Sequence, residues 1–308
     1  MTWARLAFRL QRSEIVFAAA LCLGLAAAAL WLTADMRSVL ATCGGPAAPE
    51  ACDLIYAFQS THGHVVQTIQ LAIGFALYAV PLVLGVTILT REIEQRTAMI
   101  AWPLAGSRMR WLAWRVVPAL LIGLVLVGIL AFTSEQLTQA YFPHGDIGFE
   151  NHGGRGISML TRAALVLVAA MAVGALLGRL LPALLVGIAL AVGVSTALGN
   201  ALPLWAEPAQ LTQAESISAG AHSLNTGFEY RAQDGSPMSD IEAEAIFQAV
   251  YEEHGPEPDP SLLPREVFFG VAASRYPEVL IRESAAIGAA TLLVGGLGAL
   301  VVQRRRPE

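Results

Sequence analysis

Long apolar runs separated by short polar breaks dominate this chain. Six runs, at about 15–34, 66–90, 116–134, 158–178, 181–200 and 283–302, each hold roughly 18 residues or more with few charges. About 20 apolar residues in helix cross a hydrocarbon layer of ~30 Å. The runs lack the strict alternation of a barrel strand, so each predicts a membrane-spanning helix that satisfies its own backbone groups. Before the first run, Trp3, Leu6, Ala7 and Leu10 recur at helical spacing, with Arg5, Arg9 and Arg12 on another face. That pattern predicts an interfacial helix over 1–13, with Trp anchoring it and Arg meeting anionic membrane lipid. A cleaved signal peptide is the alternative, but the first run is long for its apolar core.

Composition supports the class. Of 308 residues, 55% are hydrophobic and 14% charged, against about 25% charged in soluble domains. The chain holds no lysine, so all 19 basic residues are arginine. With the N-terminus inside, twelve arginines fall on the inner side and seven on the much longer outer segments. The positive-inside rule then places both termini in the cytoplasm. The expected fold is an all-α membrane protein with six transmembrane helices. It divides into the interfacial helix 1–13, spans one to five over 14–200, an extracellular segment 201–282, and span six with a basic tail over 283–308. The net charge of −5 gathers acids outside, so it does not point to nucleic acid.

The outer loop 35–65 carries Cys43 and Cys52. Both lie on the oxidising side, which predicts a disulfide, with two free thiols as the alternative. Cys22, inside the first run, reads as packing. The loop 135–157 is short and mixed in charge. The segment 201–282 is acidic and partly helical. Ser239 and Glu242 form a capping-box start, leading an amphipathic helix to about Glu253. Pro264 then suits the first turn of another helix whose apolar face would be Val267, Phe268, Val271 and Ala272.

The most polar inner segment is Arg91–Arg115, REIEQRTAMIAWPLAGSRMRWLAWR. Ile93, Thr97, Ile100, Ala101 and Leu104 fall near one helical face, and Pro103 ends or kinks that helix. Generic juxtamembrane charge is one reading; a short rigid helix passing motion from a cytosolic partner to spans two and three is the other. The segment resembles the inner loop of ABC-2-type transporter permeases, in the short six-span form found in high-GC bacteria. There an Arg-Glu-x-Glu-x-x-Thr element precedes a Trp and a Ser-Arg-x-Arg-Trp-Leu element. Here these are Arg91, Glu92, Glu94, Thr97, Trp102, Ser107, Arg108, Arg110, Trp111 and Leu112. Ser274, Arg275, Tyr276 and Glu283 form a second similar patch before the last span. Pro277 stands where the family often has a second aromatic residue, and Arg96 where it often has Gly.

The resemblance implies a permease subunit in the bacterial cell membrane that pairs with a second permease chain, as a homo- or heterodimer. Each chain would recruit a cytosolic ABC ATPase at a coupling helix in this loop. The coupling set would be Arg91, Glu92, Glu94, Arg96, Thr97, Ile100, Arg108 and Arg110. Glu92 and Glu94 would meet partner basic groups or cap local backbone. ATP and Mg would sit on the partner, and transport would run outward. The residues themselves support a separate ATPase: a P-loop needs a lysine on the nucleotide phosphates, and this chain has none. No cofactor or metal is expected on this chain.

The resemblance also implies that spans two and five line the path. Gln67, Gln70, Gly74, Tyr78 and Pro81 share a stripe in span two, and Ser195, Thr196, Gly199 and Asn200 cluster at the outer end of span five. Of these, Gln67, Gln70, Tyr78, Thr196 and Asn200 are the candidate path residues; helix packing is the plainer reading of each stripe. With no charge expected deep in a span, amphipathic or hydrophobic cargo is favoured over an ion path. A membrane hydrolase would need motifs such as HExxH or GxSG, and neither occurs. His62, His64, His144, His152, His222 and His254 all fall outside in this topology; His62 and His64 with His144 or His152 could bind a metal, but the spacing is not diagnostic. A non-transporting sensor or scaffold using the 201–282 segment is the remaining alternative.

Overall fold

A computed structural model describes residues 12–42, 54–95, 97, 106–143, 147–212, 223–256 and 258–304. Residues 1–11 of the interfacial helix expected over 1–13, the Cys43–Cys52 pair and the loop residues Arg96 and Ile100 lie outside the described residues.

Among the described residues, six helices are long and apolar enough to cross a membrane. They are α1 (Arg12–Thr42), α2 (Leu54–Glu94), α3 (Arg108–Tyr141), α4 (Gly156–Leu177), α5 (Leu180–Asn200) and α7 (Tyr276–Arg304). A seventh helix, α6 (Asp240–His254), is amphipathic and short. The chain is a multi-pass membrane protein of the expected class. The helices outrun the apolar runs, because helical hydrogen bonding continues into polar turns beyond the hydrocarbon window. His62 and His64 therefore sit on α2, not in a loop.

The chain forms two compact units. The helical bundle takes the residues up to Pro143, Asn151–Asn200 and those from Leu280; the second unit takes His144–Glu150 and Ala201–Val279. In the bundle, Met36, Ile73, Leu77, Ile88, Leu130, Leu137, Met159 and Leu167 are sealed from the surface, as is Cys22. Lipid tails are as apolar as these side chains, so close backbone approach matters more than burial. The α2–α4 pair achieves it through glycine. A Cβ on Gly85 would lie 2.6 Å from the Leu167 carbonyl oxygen, and one on Gly174 would lie 2.6 Å from Thr90 Oγ1. Gly178, in the left-handed region at φ 64°, ends α4. Only Gly178 and Arg179 separate it from α5.

In the second unit, strands β1 (Ala209–Gln210), β2 (Leu224–Arg231), β3 (Pro237–Met238) and β4 (Arg265–Val271) form an antiparallel sheet in the order β1-β4-β2-β3. The capping box is present: Ser239 and Glu242 close the start of α6 reciprocally. The second helix expected after Pro264 is absent; that stretch is β4. Val267, Phe268 and Phe269 favour a pleated surface, and β2 supplies a long partner, with Phe228 facing Phe268. A helical face counted along one segment takes no account of a strand some forty residues away. At Gly270 the partner strand comes so close that a Cβ would lie 2.1 Å from the Leu224 carbonyl oxygen.

Candidate functional site

Helix direction places the candidate residues at two ends of the bundle. At one, here the loop end, lie the start of α1, the ends of α2, α4 and α7, and the starts of α3 and α5. The far end holds the opposite termini.

At the loop end, three of the last four residues of α2 reach three different helices. Arg91 pairs with Glu14 on α1. Glu92 pairs with Arg115 on α3, and both are nearly closed off, at 8% and 7% exposure. Glu94 Oε2 accepts a hydrogen bond from the backbone N–H of Leu180 at 3.1 Å, capping the start of α5. Thr97 Oγ1 donates to the Glu92 carbonyl at 3.2 Å. The α3 side is equally built: Ser107 is its N-cap, accepting from Arg110 N at 3.1 Å. Arg108 Nη1 donates to the Gln303 carbonyl at the end of α7 at 2.8 Å. The Arg110 side chain is exposed. Of the coupling set, the side chains of Arg91, Glu92, Glu94, Thr97 and Arg108 thus make contacts within the chain. The 3.6-residue period puts 91, 92 and 94 on different sides of one turn, which is what lets them reach separate neighbours.

The expected path residues lie apart in their bonding. Gln70 Nε2 reaches Thr138 Oγ1 on α3 at 3.5 Å, and Asn200 Nδ2 donates to the Thr196 carbonyl of its own helix at 2.9 Å. Tyr78 is half-buried between two apolar clusters, while Gln67, Thr196 and Asn200 are exposed. Nearer the loop end, an apolar cavity of about 240 Å³ lies between α2, α3, α4 and α7, lined by residues including Leu89, Leu112, Met171 and Gly295.

The far end holds what periodicity missed. Glu283, in the second turn of α7, is 0% exposed. Its Oε1 accepts from Arg162 Nη2 at 2.6 Å and Nε at 3.2 Å, and its Oε2 lies 2.5 Å from His152 Nε2. Next to this set, Arg155 Nη1 donates to both Glu135 oxygens at 2.9 and 2.8 Å. The expectation of no deep charge in a span needs correction here. Arg162 and Glu283 both lie within spanning helices, six and seven residues past their first residues, and they are shielded by each other. An arginine and a glutamate at similar depth in two apolar runs were the available signal, since such charges are retained in pairs. Among the described residues no group of three His, Cys, Asp or Glu is arranged to hold a metal; His62 faces Asp35 at 3.0 Å.

Residues 15–202 match the model of the family described as ABC-2 membrane transporter related. The chain belongs to that family. The match runs from α1 through α5 and includes the loop end except Arg12–Glu14 at the start of α1 and the tail of α7. As an ABC-2-type permease, the protein is a transmembrane component of a transport system. No curated protein and no solved structure matches the chain.

Proposed function

We propose that this permease is the membrane subunit of an ATP-driven exporter, with a separate cytosolic ABC ATPase docked on the 91–115 loop. The observation that carries this reading is the last turn of α2. Arg91, Glu92 and Glu94 fasten it to α1, α3 and α5 at the very start of that loop. A force on the loop is then shared among four helices instead of bending one. The ATP and Mg chemistry belongs to the partner, consistent with a chain that has no lysine for a P-loop. A second permease chain completes the path. In support, the apolar windows of α1, α5 and α7 are only 28%, 17% and 11% buried, leaving wide faces for another subunit or lipid. The arginine bias supports a cytoplasmic loop end, and the membrane would be that of a bacterial cell. The second unit then stands outside, gating the exit or binding an external partner. Cargo is amphipathic or hydrophobic.

The test is co-purification with the candidate ATPase in nanodiscs, with ATP hydrolysis measured for the native loop and for a loop replaced by Gly-Ser. A stable complex whose hydrolysis depends on the loop supports the reading. Failure to bind any ATPase would reject it and favour a sensor built around the second unit.

A further inference from the structure

We propose that His152, Arg162 and Glu283 form a charge clasp that seats the last helix, α7, on α4, so that α7 is the detachable member of the bundle. The inference concerns this chain alone and does not depend on the ATPase reading.

The first observation is how little else holds α7. Its apolar window is 11% buried, against 61% for α2. Its middle meets α4 through small residues: a Cβ on Gly295 would lie 3.3 Å from Val168 Cγ1, and one on Gly298 would lie 3.1 Å from Ala172 Cβ. Such a seam is close but smooth, with few side chains interlocked. At the loop end α7 is tied by Val302, buried in the bundle core, and by the hydrogen bond from Arg108 to the Gln303 carbonyl.

The second observation is that the cationic half of the clasp is fixed and the anionic half arrives on α7. The turn 151–155 forms a cradle for Arg162. Gly153 has φ 83°, and a Cβ there would lie 2.1 Å from Arg162 Nη1, so only glycine lets the guanidinium in. Gly153 N donates to Ser158 Oγ at 3.0 Å, and Ser134 Oγ donates to the Gly154 carbonyl at 2.7 Å. The Arg155–Glu135 pair, in which Nη1 is shared between both carboxylate oxygens, anchors the same turn to α3 and neutralises itself. The charged groups facing Glu283 are therefore Arg162 on α4 and His152 on the turn. Arg282, the next charge on its own helix, is exposed.

A fixed receptor for one carboxylate, built on α3 and α4 and filled by α7, is the arrangement of a clasp. A buried pair of this kind is costly to break from one side only, because the remaining charge is left without a counter-ion. Removing both charges together avoids that cost. Glu283 also lies beyond the residues 15–202 matched to the family, so the clasp joins the shared part of the chain to the helix outside it.

Disulfide cross-linking between Val168→Cys and Gly295→Cys reports the seating of α7, since a Cβ on Gly295 would touch the Val168 side chain, 3.3 Å from its Cγ1. The background is Cys22→Ala, Cys43→Ser and Cys52→Ser, with the full chain in nanodiscs. Glu283→Gln is expected to slow cross-linking tenfold or more. Glu283→Gln combined with Arg162→Gln is expected to recover most of the rate. If Glu283→Gln does not insert, Arg162→Lys, which keeps the charge and loses the fork, is expected to slow the reaction several-fold. An unchanged rate in whichever single variant inserts, or a double variant as slow as Glu283→Gln, would overturn the clasp.

Discussion

The two ends of the bundle fasten helices with the same chemistry and opposite layouts. At the loop end, Arg91, Glu92 and Glu94 are neighbours in sequence and fan out to Glu14, Arg115 and the start of α5. At the far end, three residues distant in sequence converge: His152 and Arg162 meet Glu283 from 131 and 121 positions away. A hub that diverges from one turn moves several helices together. A site that converges on one carboxylate holds a single helix and can lose it. The loop end is thus suited to transmitting a push, and the far end to retaining or freeing α7.

The largest expected effect breaks the convergent site. Glu283→Ala leaves Arg162 buried without its counter-ion and is expected to cost about 3–5 kcal/mol, seen as a lowered midpoint for heat-induced loss of monodisperse protein. Arg162→Met with Glu283→Met is expected to restore most of it. A full loss in that double variant would mean the charges do more than neutralise each other. A smaller, functional effect comes from the divergent site. Glu94→Ala with Arg108→Ala removes the cap on α5 and the link to α7, exposed contacts at helix ends worth about 0.3–1 kcal/mol each. Insertion and ATP hydrolysis by the docked partner are expected to persist while transport per ATP falls about tenfold or more. Unchanged transport would refute the coupling role of this end.

The smallest effect lies outside the comparison and serves as its control. Ser239→Ala is expected to cost α6 about 1 kcal/mol, read as faster amide exchange confined to Asp240–Ala243. The Ser239 backbone N–H, then its hydroxyl, hold the Glu242 carboxyl below its ordinary range. A depressed folded value means the cap contributes fully above the unfolded value, near pH 4.3, and is lost as the pH falls through the folded one. Protection of the first turn of α6 is expected to fade on acidification below about pH 4.3, while that of β2 and β4 remains.

What was legible in the sequence follows the reach of each signal. Apolar run length gave the six spans, because a bilayer imposes that length on every crossing. Ser239 and Glu242 gave α6, because a cap acts over three residues. The run Arg91–Glu94 stood out as a motif, but its three targets did not, since they depend on which helices surround that turn. Glu283 and Arg162 each looked like the polar edge of a span; only the packing of α7 against α4 makes them partners. The β4 stretch read as a helix for the same reason, its strand partner lying far away in the sequence.

The two-residue link between α4 and α5 bears on how the chain is made. Gly178 turns the backbone through its left-handed conformation and Arg179 follows at the bend. Such a connection leaves no loop to be carried across the bilayer separately. The two spans are expected to leave the ribosome's insertion machinery as one helical hairpin, with Arg179 kept at its starting face, before α7 is synthesised. The receptor for Glu283 then stands ready in the membrane, and the last helix arrives to find it.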